Sequence, residues 1–255
     1  MKRFIIFDLD DTLLNNEKKI TPYTNSVLAK LRKMGCVIVI NTARSHLFNE
    51  EYTRSIKADY TILNGGAAIL DSNFREIYTK TVSREKISAM LPRLLELSQS
   101  ASIQSKDILY ANDKSFKRPD VEYCDFAKLG CHFDAYKIIA NISEENAELL
   151  AEEFDLQYVS YFGGPLKRFS HKEATKALAN RYLTNLLGGS PDDAIVFGDD
   201  HGDVEMINEA GVGIVMKNAK DDVKALCKNV SEYTNDEDGV ARFLAAYFSL
   251  EDGIC

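Results

Sequence analysis

Two aspartates and a threonine stand directly after the first apolar run of the chain. The run is Phe4–Phe7, and Asp8, Asp10 and Thr12 follow it at alternating positions. Four consecutive apolar residues predict a strand that is buried on both faces. If the extended backbone continues through residue 10, the two carboxylates point to the same side. Such carboxylates repel each other unless a cation or a proton lies between them, so the stretch predicts a divalent metal, a shared proton, or both.

Four later apolar runs also end in small polar or acidic residues. These residues are Asn41 with Thr42, Asn64, Asp199 and Asn218. Helical patterns separate most of the runs, which predicts a Rossmann-like parallel α/β sheet with helices on both faces. Ligands of such sheets bind outside the carboxyl ends of the strands. Each polar residue taken singly is more often a helix N-cap than a functional group, but the coincidence of several strand ends favours a site.

Composition limits the classes of function. The chain has 255 residues, 45% of them hydrophobic, and a formal net charge of −8. That charge gives no general attraction for nucleic acid or for an acidic membrane surface, and no apolar run is long enough to span a bilayer. The N-terminus lacks the apolar core of a secretory signal. Five cysteines without a C-x-x-C pair favour reduced thiols, so we expect a cytoplasmic protein without a disulfide framework or a zinc site.

The sequence pattern changes between residues 82 and 167. Two helical segments there alternate with short β-rich stretches, and a hairpin pattern closes the region. This order predicts an inserted α+β domain over residues 82–167. The catalytic core is then formed by residues 1–81 and 168–255.

Two local features of these segments are also predicted. Pro92 lies inside the first inserted helix and is expected to kink or divide it. The parallel sheet is expected to resume through a helix that begins at His171. That boundary places Lys172 at a helix start.

Together these residues resemble the motifs of the haloacid dehalogenase (HAD) superfamily of phosphatases. The motifs are D-x-D-x-T, a Ser or Thr at the second strand end, a lone Lys, and G-D-x-x-x-D, matched here by Asp8, Asp10, Thr12, Thr42, Lys172, Asp199 and Asp203. The chain looks most similar to the Cof-type sugar-phosphatase group, which carries an α/β cap between the second and third motifs. The resemblance spans nearly the whole chain and extends to Asn64-Gly65, Met216-Lys217-Asn218-Ala219 and Asp238-Gly239-Val240.

The resemblance implies a phosphomonoesterase that works through an aspartyl-phosphate. Asp8 is then the nucleophile, while Asp10 protonates the leaving oxygen and later takes a proton from water. This role requires a proton on Asp10 while Asp8 stays ionised. Lys172 and Thr42, with the backbone amides after Asp8, are expected to bind the phosphoryl oxygens. The expected substrate is a small phosphorylated metabolite, with a sugar phosphate as the default.

The resemblance also implies a site for Mg²⁺. Its ligands would be Asp8, the backbone carbonyl of Asp10 and Asp199, with Asp203 in an outer position or bound through water. Thr12 is expected to orient Asp10 or its loop. Other residues expected to support the site or to bind the phosphoryl group are Ala43, Arg44, Asn64 and Asn218.

Two positions depart from the family motifs. Ala43 stands where the second motif usually has Gly, and Gly202 stands where the fourth usually has Asn. The first change is small enough for the loop to tolerate. The second removes an amide near the metal and is expected to weaken magnesium affinity without removing either carboxylate.

Three other functions remain open from the sequence. A phosphohexose mutase shares this fold and the aspartyl-phosphate. A phosphorylatable signalling module also combines acidic residues, Thr and Lys at strand ends, although the D-x-D-x-T on the first strand and the large insertion argue against it. A degenerate ligand-binding member of the superfamily is the third, because of Gly202.

Substrate specificity is expected to lie in the inserted cap. A cap can exclude water from an active site and contact the leaving group. Basic residues in polar cap loops could meet a second anionic group of the substrate, although a solvated loop is the favoured interpretation; they are Lys106, Lys114, Lys117 and Arg118. Tyr110, Tyr161 and Gly163-Gly164 are equally plausible contacts for a sugar or a ring.

Overall fold

The chain forms two compact units. The computed structural model describes residues 4–98, 100–106, 108–114, 121–160 and 164–250, with the backbone alone at Leu47. One unit consists of Met1–Ile77 and Thr175–Cys255, and the other of Tyr78–Ala174. The predicted fold class, an α/β core with an inserted α+β unit, is confirmed.

Strands and α-helices alternate near both ends of the described chain, and several strands follow one another directly in between. The strands are β1 (Phe4–Phe7), β2 (Val37–Asn41), β3 (Tyr60–Leu63), β4 (Ala68–Asp71), β5 (Glu76–Thr79), β6 (Ala101–Gln104), β7 (Leu109–Ala111), β8 (Val121–Tyr123), β9 (Lys137–Asn141), β10 (Leu156–Ser160), β11 (Leu166–His171), β12 (Ala194–Gly198) and β13 (Val212–Val215). The α-helices are α1 (Pro22–Lys33), α2 (Glu50–Ile56), α3 (Arg84–Leu97), α4 (Glu144–Glu153), α5 (Lys176–Leu186), α6 (Val204–Glu209), α7 (Asp221–Ala225) and α8 (Gly239–Tyr247). No helix among the described residues is long and apolar enough to cross a membrane.

The first unit is built on a seven-stranded sheet in the order β13-β12-β1-β2-β3-β4-β5. The five strands from β13 to β3 are parallel, and β4 is antiparallel to β3. All four side chains of β1 are buried, as its uninterrupted apolar sequence predicts. Because β1 lies between β12 and β2, the residues that follow these three strands lie at one edge of the sheet. Asp8, Thr42 and Asp199 therefore follow neighbouring strand ends.

Helices cover both faces of this sheet. On one face, side chains of α1 and α8 form a single core with Ile5, Phe7 and Ile40. On the other face, α6 packs against β12 and β13, and α5 packs against α6. Burial of both faces fixes the strands, so the polar residues at their ends are held on a rigid frame.

The inserted unit contains a six-stranded sheet in the order β10-β11-β9-β6-β7-β8. Neighbouring strands of this sheet are antiparallel among the described residues, except that β7 and β8 are parallel. Residues of α3 and α4 form a core with Ile103, Ile138 and Phe169 on one face of the sheet. Although α3 contains Pro92, it is one helix, so the sequence expectation that Pro92 could divide it is not met.

The end of the insertion lies later in the chain than the sequence suggests. Strand β11 pairs with β9 and β10, so residues 168–174 belong to the inserted unit and not to the core. The helix expected from His171 begins at Lys176 instead. Thr175 is its N-cap, because the Thr175 hydroxyl accepts a hydrogen bond of 3.1 Å from the backbone amide three residues on. Strand pairing continues through His171, which excludes a helix there.

Thr175→Ala removes the N-cap of α5 and should lower the free energy of unfolding by about 1 kcal/mol. Thr175→Ser keeps the hydroxyl and should keep most of that stability. Urea unfolding followed by circular dichroism measures both variants. An Ala variant as stable as the parent would contradict the cap assignment.

Candidate active site

The backbone leaves the sheet directly after Asp8. The Asp8 amide still donates to the carbonyl of Phe197 at 3.1 Å, but residues 9–13 form a tight turn closed by a 2.9 Å bond from the Leu14 amide to the Leu9 carbonyl. Asp11 in this turn has a φ of 58°. The extended geometry therefore does not persist to Asp10, and the two aspartates of the first motif contact different partners.

Asp8 instead lies in a cluster with two aspartates that follow β12. Carboxylate oxygens of Asp8, Asp199 and Asp203 lie within 4.8 Å of one another. Asp8 is 8% exposed and Asp203 is fully buried. The cluster joins two of the strand ends that the sequence singles out.

Asp203 shapes the backbone of the cluster. Its Oδ2 accepts hydrogen bonds from the amides of Asp199 at 3.0 Å and Asp200 at 3.1 Å. A Cβ at Gly198 would lie 2.4 Å from the Cβ of Asp203, so only glycine permits this approach. Because these contacts occupy Oδ2 of Asp203, its predicted position outside the direct metal ligands, or bound through water, stays a prediction.

The charged partner of the cluster is Lys176, the first residue of α5. Its Nζ lies 2.6 Å from Oδ1 of Asp203 and 3.0 Å from Oδ1 of Asp8. The Lys176 side chain is 9% exposed. One ammonium therefore bridges two of the three carboxylates in a site that water hardly reaches.

Lys172 does not have the position that the sequence analysis gives it. Its side chain is 58% exposed and forms an ion pair with Asp155 in the inserted unit. The lysine of the cluster is Lys176, and the assignment of Lys172 is corrected accordingly. The error follows from the helix boundary, because a helix beginning at His171 would put Lys172, not Lys176, in its first turn. Thr175 was the signal that could have found the boundary, since threonine directly before an apolar periodic segment is a common N-cap.

The start of α5 is fixed by two groups at the end of the neighbouring strands. Asn41 donates through Nδ2 to the carbonyl of Lys176 at 3.0 Å and to Oδ1 of Asn180 at 2.8 Å. Gly66, at a φ of 101°, lies so close that a Cβ there would be 2.1 Å from the Thr175 carbonyl oxygen. Asn41 is thus a positioning residue for Lys176 and not a helix cap.

Burial and like charge set the protonation of the cluster. Burial raises the pKa of Asp8 to about 7, against the opposing effect of Lys176 and with a further rise from Asp203. Burial and the charges of Asp8 and Asp203 raise the pKa of Asp199 to about 8. Burial acts to lower the pKa of Lys176, but the two carboxylates raise it above its usual range. Three ionised carboxylates would exceed the charge of one ammonium, so the cluster favours an additional cation or a proton.

These residues fit a divalent cation. Carboxylate oxygens of Asp8, Asp199 and Asp203 converge within 4.8 Å of one another, and the Lys176 ammonium supplies a single positive charge to the three acids. The remaining negative charge is costly in a site that water hardly reaches, and a divalent cation would compensate it. Carboxylate oxygens are also the ligands that Mg²⁺ and other hard cations prefer.

Thr12 supports the cluster through a different partner from the expected one. Its hydroxyl donates to Oδ1 of Asp199 at 2.5 Å, and Thr12 is 1% exposed. The sequence predicts that Thr12 orients Asp10 or its loop; the observed bond goes to the Asp199 carboxylate and not to Asp10. That bond also ties the turn after β1 to the end of β12.

Asp10 is held by Arg44. The guanidinium donates to both carboxylate oxygens, from Nε and from Nη2, each at 2.7 Å. Lys18 lies 3.3 Å from the same carboxylate. Partial burial acts to raise the pKa of Asp10, but the Arg44 hydrogen bonds and charge, with Lys18, bring it below its usual range. In this arrangement Asp10 is ionised while the pKa of Asp8 is raised, which is opposite to the sequence expectation.

The loop after β2 is joined to the loop after β3. The Thr42 hydroxyl accepts a 3.2 Å hydrogen bond from the Arg44 amide, across Ala43. The Asn64 amide donates to the Arg44 carbonyl at 2.8 Å, and Asn64 has a φ of 54°. Oδ1 of Asn64 is buried without a hydrogen bond among the described residues. These loop contacts fix the backbone from which Arg44 reaches Asp10.

Two asparagines from the C-terminal part of the chain hold the turn after β1. They are Asn218, which the sequence analysis names, and Asn235, which it does not. Nδ2 of Asn218 donates to the Asp11 carbonyl at 2.7 Å, and its Oδ1 accepts from the Asn235 amide at 2.9 Å. Asn235 in turn donates through Nδ2 to the Leu14 carbonyl at 2.9 Å. Asn218 is therefore a support for the turn. No local pattern in the sequence pairs Asn235 with residues so distant along the chain.

The proposed contacts in the insertion receive less support. Lys106 and Lys114 are exposed, which favours the reading of solvated loop residues. The ring of Tyr110 stacks on Phe133, with centroids 4.7 Å apart. Other candidates, Lys117, Arg118, Tyr161 and Gly163, lie outside the described residues.

Comparison with known proteins identifies the superfamily. The chain matches the family of haloacid dehalogenase-like hydrolases over residues 5–244. It belongs to this family. The predicted Cof-type resemblance and the predicted enzyme class are confirmed at this level. The motifs that carry the resemblance are spread over nearly the whole chain.

Two relatives of this HAD-family chain come from Bacillus subtilis. Both are named 5-amino-6-(5-phospho-D-ribitylamino)uracil phosphatase. YcsE is 27% identical over 241 residues, covering 94% of this chain and 93% of YcsE. YitU is 25% identical over 265 residues, covering 96% of this chain and 97% of YitU.

Solved structures share the fold. TM0651 from Thermotoga maritima has a TM-score of 0.82 at 25% identity and covers 96% of this chain and 97% of its own. BT4131, described as a HAD subclass IIB sugar phosphatase, has a TM-score of 0.80 at 20% identity and covers 97% of this chain and 99% of its own. At such identity the second comparison supports the fold alone.

Replacement of Lys176 should abolish most activity, whereas the same replacement of Lys172 should not. We expect Lys176→Met to lower kcat for phosphate-ester hydrolysis by about 100- to 1,000-fold, because the site loses its one buried positive charge among the described residues. Lys172→Met is the matched control and should stay within about twofold of the parent. Steady-state phosphate release measures both.

Thermal unfolding of the two lysine variants shows whether either has simply failed to fold. Lys176→Arg keeps the charge and serves as a second probe if the Met variant is unstable. Strong loss of activity in Lys172→Met, with Lys176→Met active, would contradict the corrected assignment.

Proposed function

We propose that the chain is a magnesium-dependent phosphomonoester hydrolase that acts on a small phosphorylated metabolite, with a sugar phosphate as the default substrate. The observation that carries the proposal is the cluster of Asp8, Asp199 and Asp203, with the buried Lys176 ammonium between Asp8 and Asp203. Hydrolysis of a phosphate monoester requires neutralisation of negative charge more than it requires covalent chemistry. The names of the Bacillus relatives, which are phosphatases of a phosphorylated ribityl compound, support the same class of reaction.

The ligands of Mg²⁺ would be Asp8, Asp199 and the backbone carbonyl of Asp10. Asp203 would lie in an outer position or bind the cation through water. When bound, the cation supplies positive charge to the nucleophile and to the transferring phosphoryl group. Cation binding also favours the ionised form of Asp8, whose pKa burial otherwise raises to about 7. Lys176 supplies the second positive charge from a fixed position in α5.

Asp8 attacks phosphorus through a carboxylate oxygen. A bond forms between that oxygen and phosphorus while the bond from phosphorus to the leaving oxygen breaks, and Asp10 gives its proton to the leaving alcohol. In the second step water attacks the aspartyl-phosphate, Asp10 takes the proton, and inorganic phosphate leaves with Asp8 restored. Thr42 and the backbone amides of the turn after Asp8 bind the phosphoryl oxygens.

Asp10 can act as the general acid only if its hydrogen bonds with Arg44 break. A carboxylate that accepts two hydrogen bonds from a guanidinium does not hold a proton near neutral pH. Asp10 must therefore exchange Arg44 for the substrate's leaving oxygen before it can carry a proton. Arg44 is proposed to hold Asp10 in place between turnovers.

The alternatives differ in what happens after the aspartyl-phosphate forms. A phosphohexose mutase would return the phosphoryl group to a sugar and release no phosphate. A ligand-binding or signalling protein would bind or retain the group without turnover. Release of inorganic phosphate from a natural ester separates the proposed hydrolase from both.

A panel of phosphate esters, assayed with and without Mg²⁺, tests the proposal. The panel contains hexose phosphates, pentose phosphates and a phosphoribityl compound. We expect phosphate release that requires the metal and that falls at least about 1,000-fold in Asp8→Asn, because the amide cannot act as the nucleophile.

Asp11→Asn is the matched control, since it changes an exposed aspartate of the same turn and should retain activity within a few fold. Equal turnover by Asp8→Asn and the parent would exclude Asp8 as the nucleophile. Full activity in EDTA would exclude the metal requirement.

A further inference from the structure

The six-stranded sheet of the inserted unit has one face that, among the described residues, takes no part in the core formed with the helices and carries polar as well as apolar side chains. Its other face packs against α3 and α4 through Ile103, Ile138 and Phe169. Since side chains alternate along a strand, the flanking positions point away from these helices. Buried polar residues on this helix-free face are Ser102, Gln104, Lys137, Arg168 and Ser170.

Arg168 is buried without a partner. The residue is 8% exposed, and its Nε is fully buried and donates no hydrogen bond. Among the described residues, the structure gives the guanidinium no ion pair, hydrogen bond or ring contact. Ser170, two residues further on the same face, is 0% exposed, and its hydroxyl is also without a hydrogen bond.

Other buried cations of the described chain have partners. Lys167, which precedes Arg168 but points to the opposite face, contacts Glu144, and its Nζ donates to the Ser160 hydroxyl at 2.7 Å. Lys176 contacts two carboxylates of the acidic cluster. A buried guanidinium stays charged, so burial without an anion carries a large desolvation cost. Arg168 is the exception that needs an explanation.

The register of the sheet gives no internal anion for Arg168. Ile139 on β9 and Val159 on β10 are its cross-strand neighbours. By the same pairing, no Asp or Glu occupies a position on the helix-free face of the described strands, whereas Glu122 on β8 pairs with Tyr110 and points to the helical side. The face therefore carries positive charge without compensation from its own strands.

We propose that the helix-free face of this sheet binds an anionic group of a small metabolite, with Arg168 as the charged contact and the Ser170 hydroxyl as a hydrogen-bond donor. A guanidinium binds a carboxylate or a phosphate through two parallel hydrogen bonds, which selects these groups over neutral ones. The anion has two possible sources. It is either a second acidic group of the phosphorylated substrate or a free anion that acts as an effector.

Thermal unfolding in the presence of EDTA tests the anion site without any assay of hydrolysis. The acidic cluster then carries excess negative groups and does not attract anions. Malonate and inorganic phosphate are titrated at constant ionic strength, which removes general screening effects. We expect a saturable rise of the unfolding midpoint, roughly 2–4 °C at tenfold excess over Kd, in the parent and no rise in Arg168→Gln.

Two control variants make the unfolding test specific. Lys128→Gln makes the same charge change at an exposed residue of the same unit and should respond like the parent. Arg168→Lys should keep part of the response. Without anion, Arg168→Gln should unfold at the same temperature as the parent or higher, because an unpaired buried charge is removed. An equal rise in Arg168→Gln, no rise in the parent, or a large loss of stability in Arg168→Gln without anion would overturn the proposal.

Steady-state kinetics distinguishes the two sources of the anion, and this part rests on the proposed function. Phosphate esters whose leaving group carries a second phosphate or a carboxylate are compared with esters of neutral leaving groups. If the substrate supplies the anion, Arg168→Gln raises KM at least about 10-fold for the doubly anionic esters and less than about twofold for the others. An equal effect on both classes, with the malonate response lost, assigns a free anion. Absence of hydrolysis by the parent would contradict the proposed function and leave the unfolding test valid.

Discussion

The convergence of three carboxylates, of which Asp8 and Asp203 are buried and Asp199 is half-buried, beside one ammonium is the constraint on which the first unit depends. Asp8, Asp199 and Asp203 come from two adjacent strand ends, and Lys176 from the helix that follows the insertion. A cluster of this kind is unstable as a fully ionised set, which explains why the pKa values of Asp8 and Asp199 rise towards neutrality. The same imbalance makes the cluster a receptor for a divalent cation. Stability is thus given up locally for a site that is ready to bind positive charge.

Several residues without charge make this arrangement possible. Gly198 permits the close approach of Asp203, and Gly66 that of the Thr175 carbonyl, where a Cβ would collide. Asn41 holds the first turn of α5 by donating a hydrogen bond to the Lys176 carbonyl. Thr12 and Asn218 fix the turn after β1 from its two sides. The reactive groups themselves are few, and most of the polar residues at the strand ends position them. The inserted unit has an imbalance of the opposite charge. Its buried Arg168 has no carboxylate partner among the described residues.

The sequence predicts the fold and the acidic residues because both depend on strong local patterns. Uninterrupted apolar runs define the parallel strands, and the aspartates follow them directly in the chain. The sequence places Lys172 at a helix start because the second strand of the hairpin reads as a short segment, whereas pairing with β9 and β10 extends β11 to His171. Tertiary pairing of this kind has no local signature.

Contacts between residues that are distant along the chain also have no signature in the sequence. The bond from Thr12 to Asp199, the Arg44 pair with Asp10 and the support from Asn235 join residues far apart in the chain. Two carboxylates spaced as in an extended strand predict a shared cation, but the backbone turns from Leu9, between them, and their side chains have different partners. Spacing predicts proximity only while the backbone keeps one conformation.

Rapid acid quench of a single turnover, followed by peptide mapping of the phosphorylated protein, tests the central claim most directly. A phosphate ester with a good leaving group is mixed with excess enzyme and Mg²⁺, and the acyl phosphate is trapped by borohydride reduction. The account predicts that the modification maps to Asp8 and forms before phosphate is released, and that it persists longer in Asp10→Asn. Phosphate release without any modified peptide, or modification at another residue, would contradict the account.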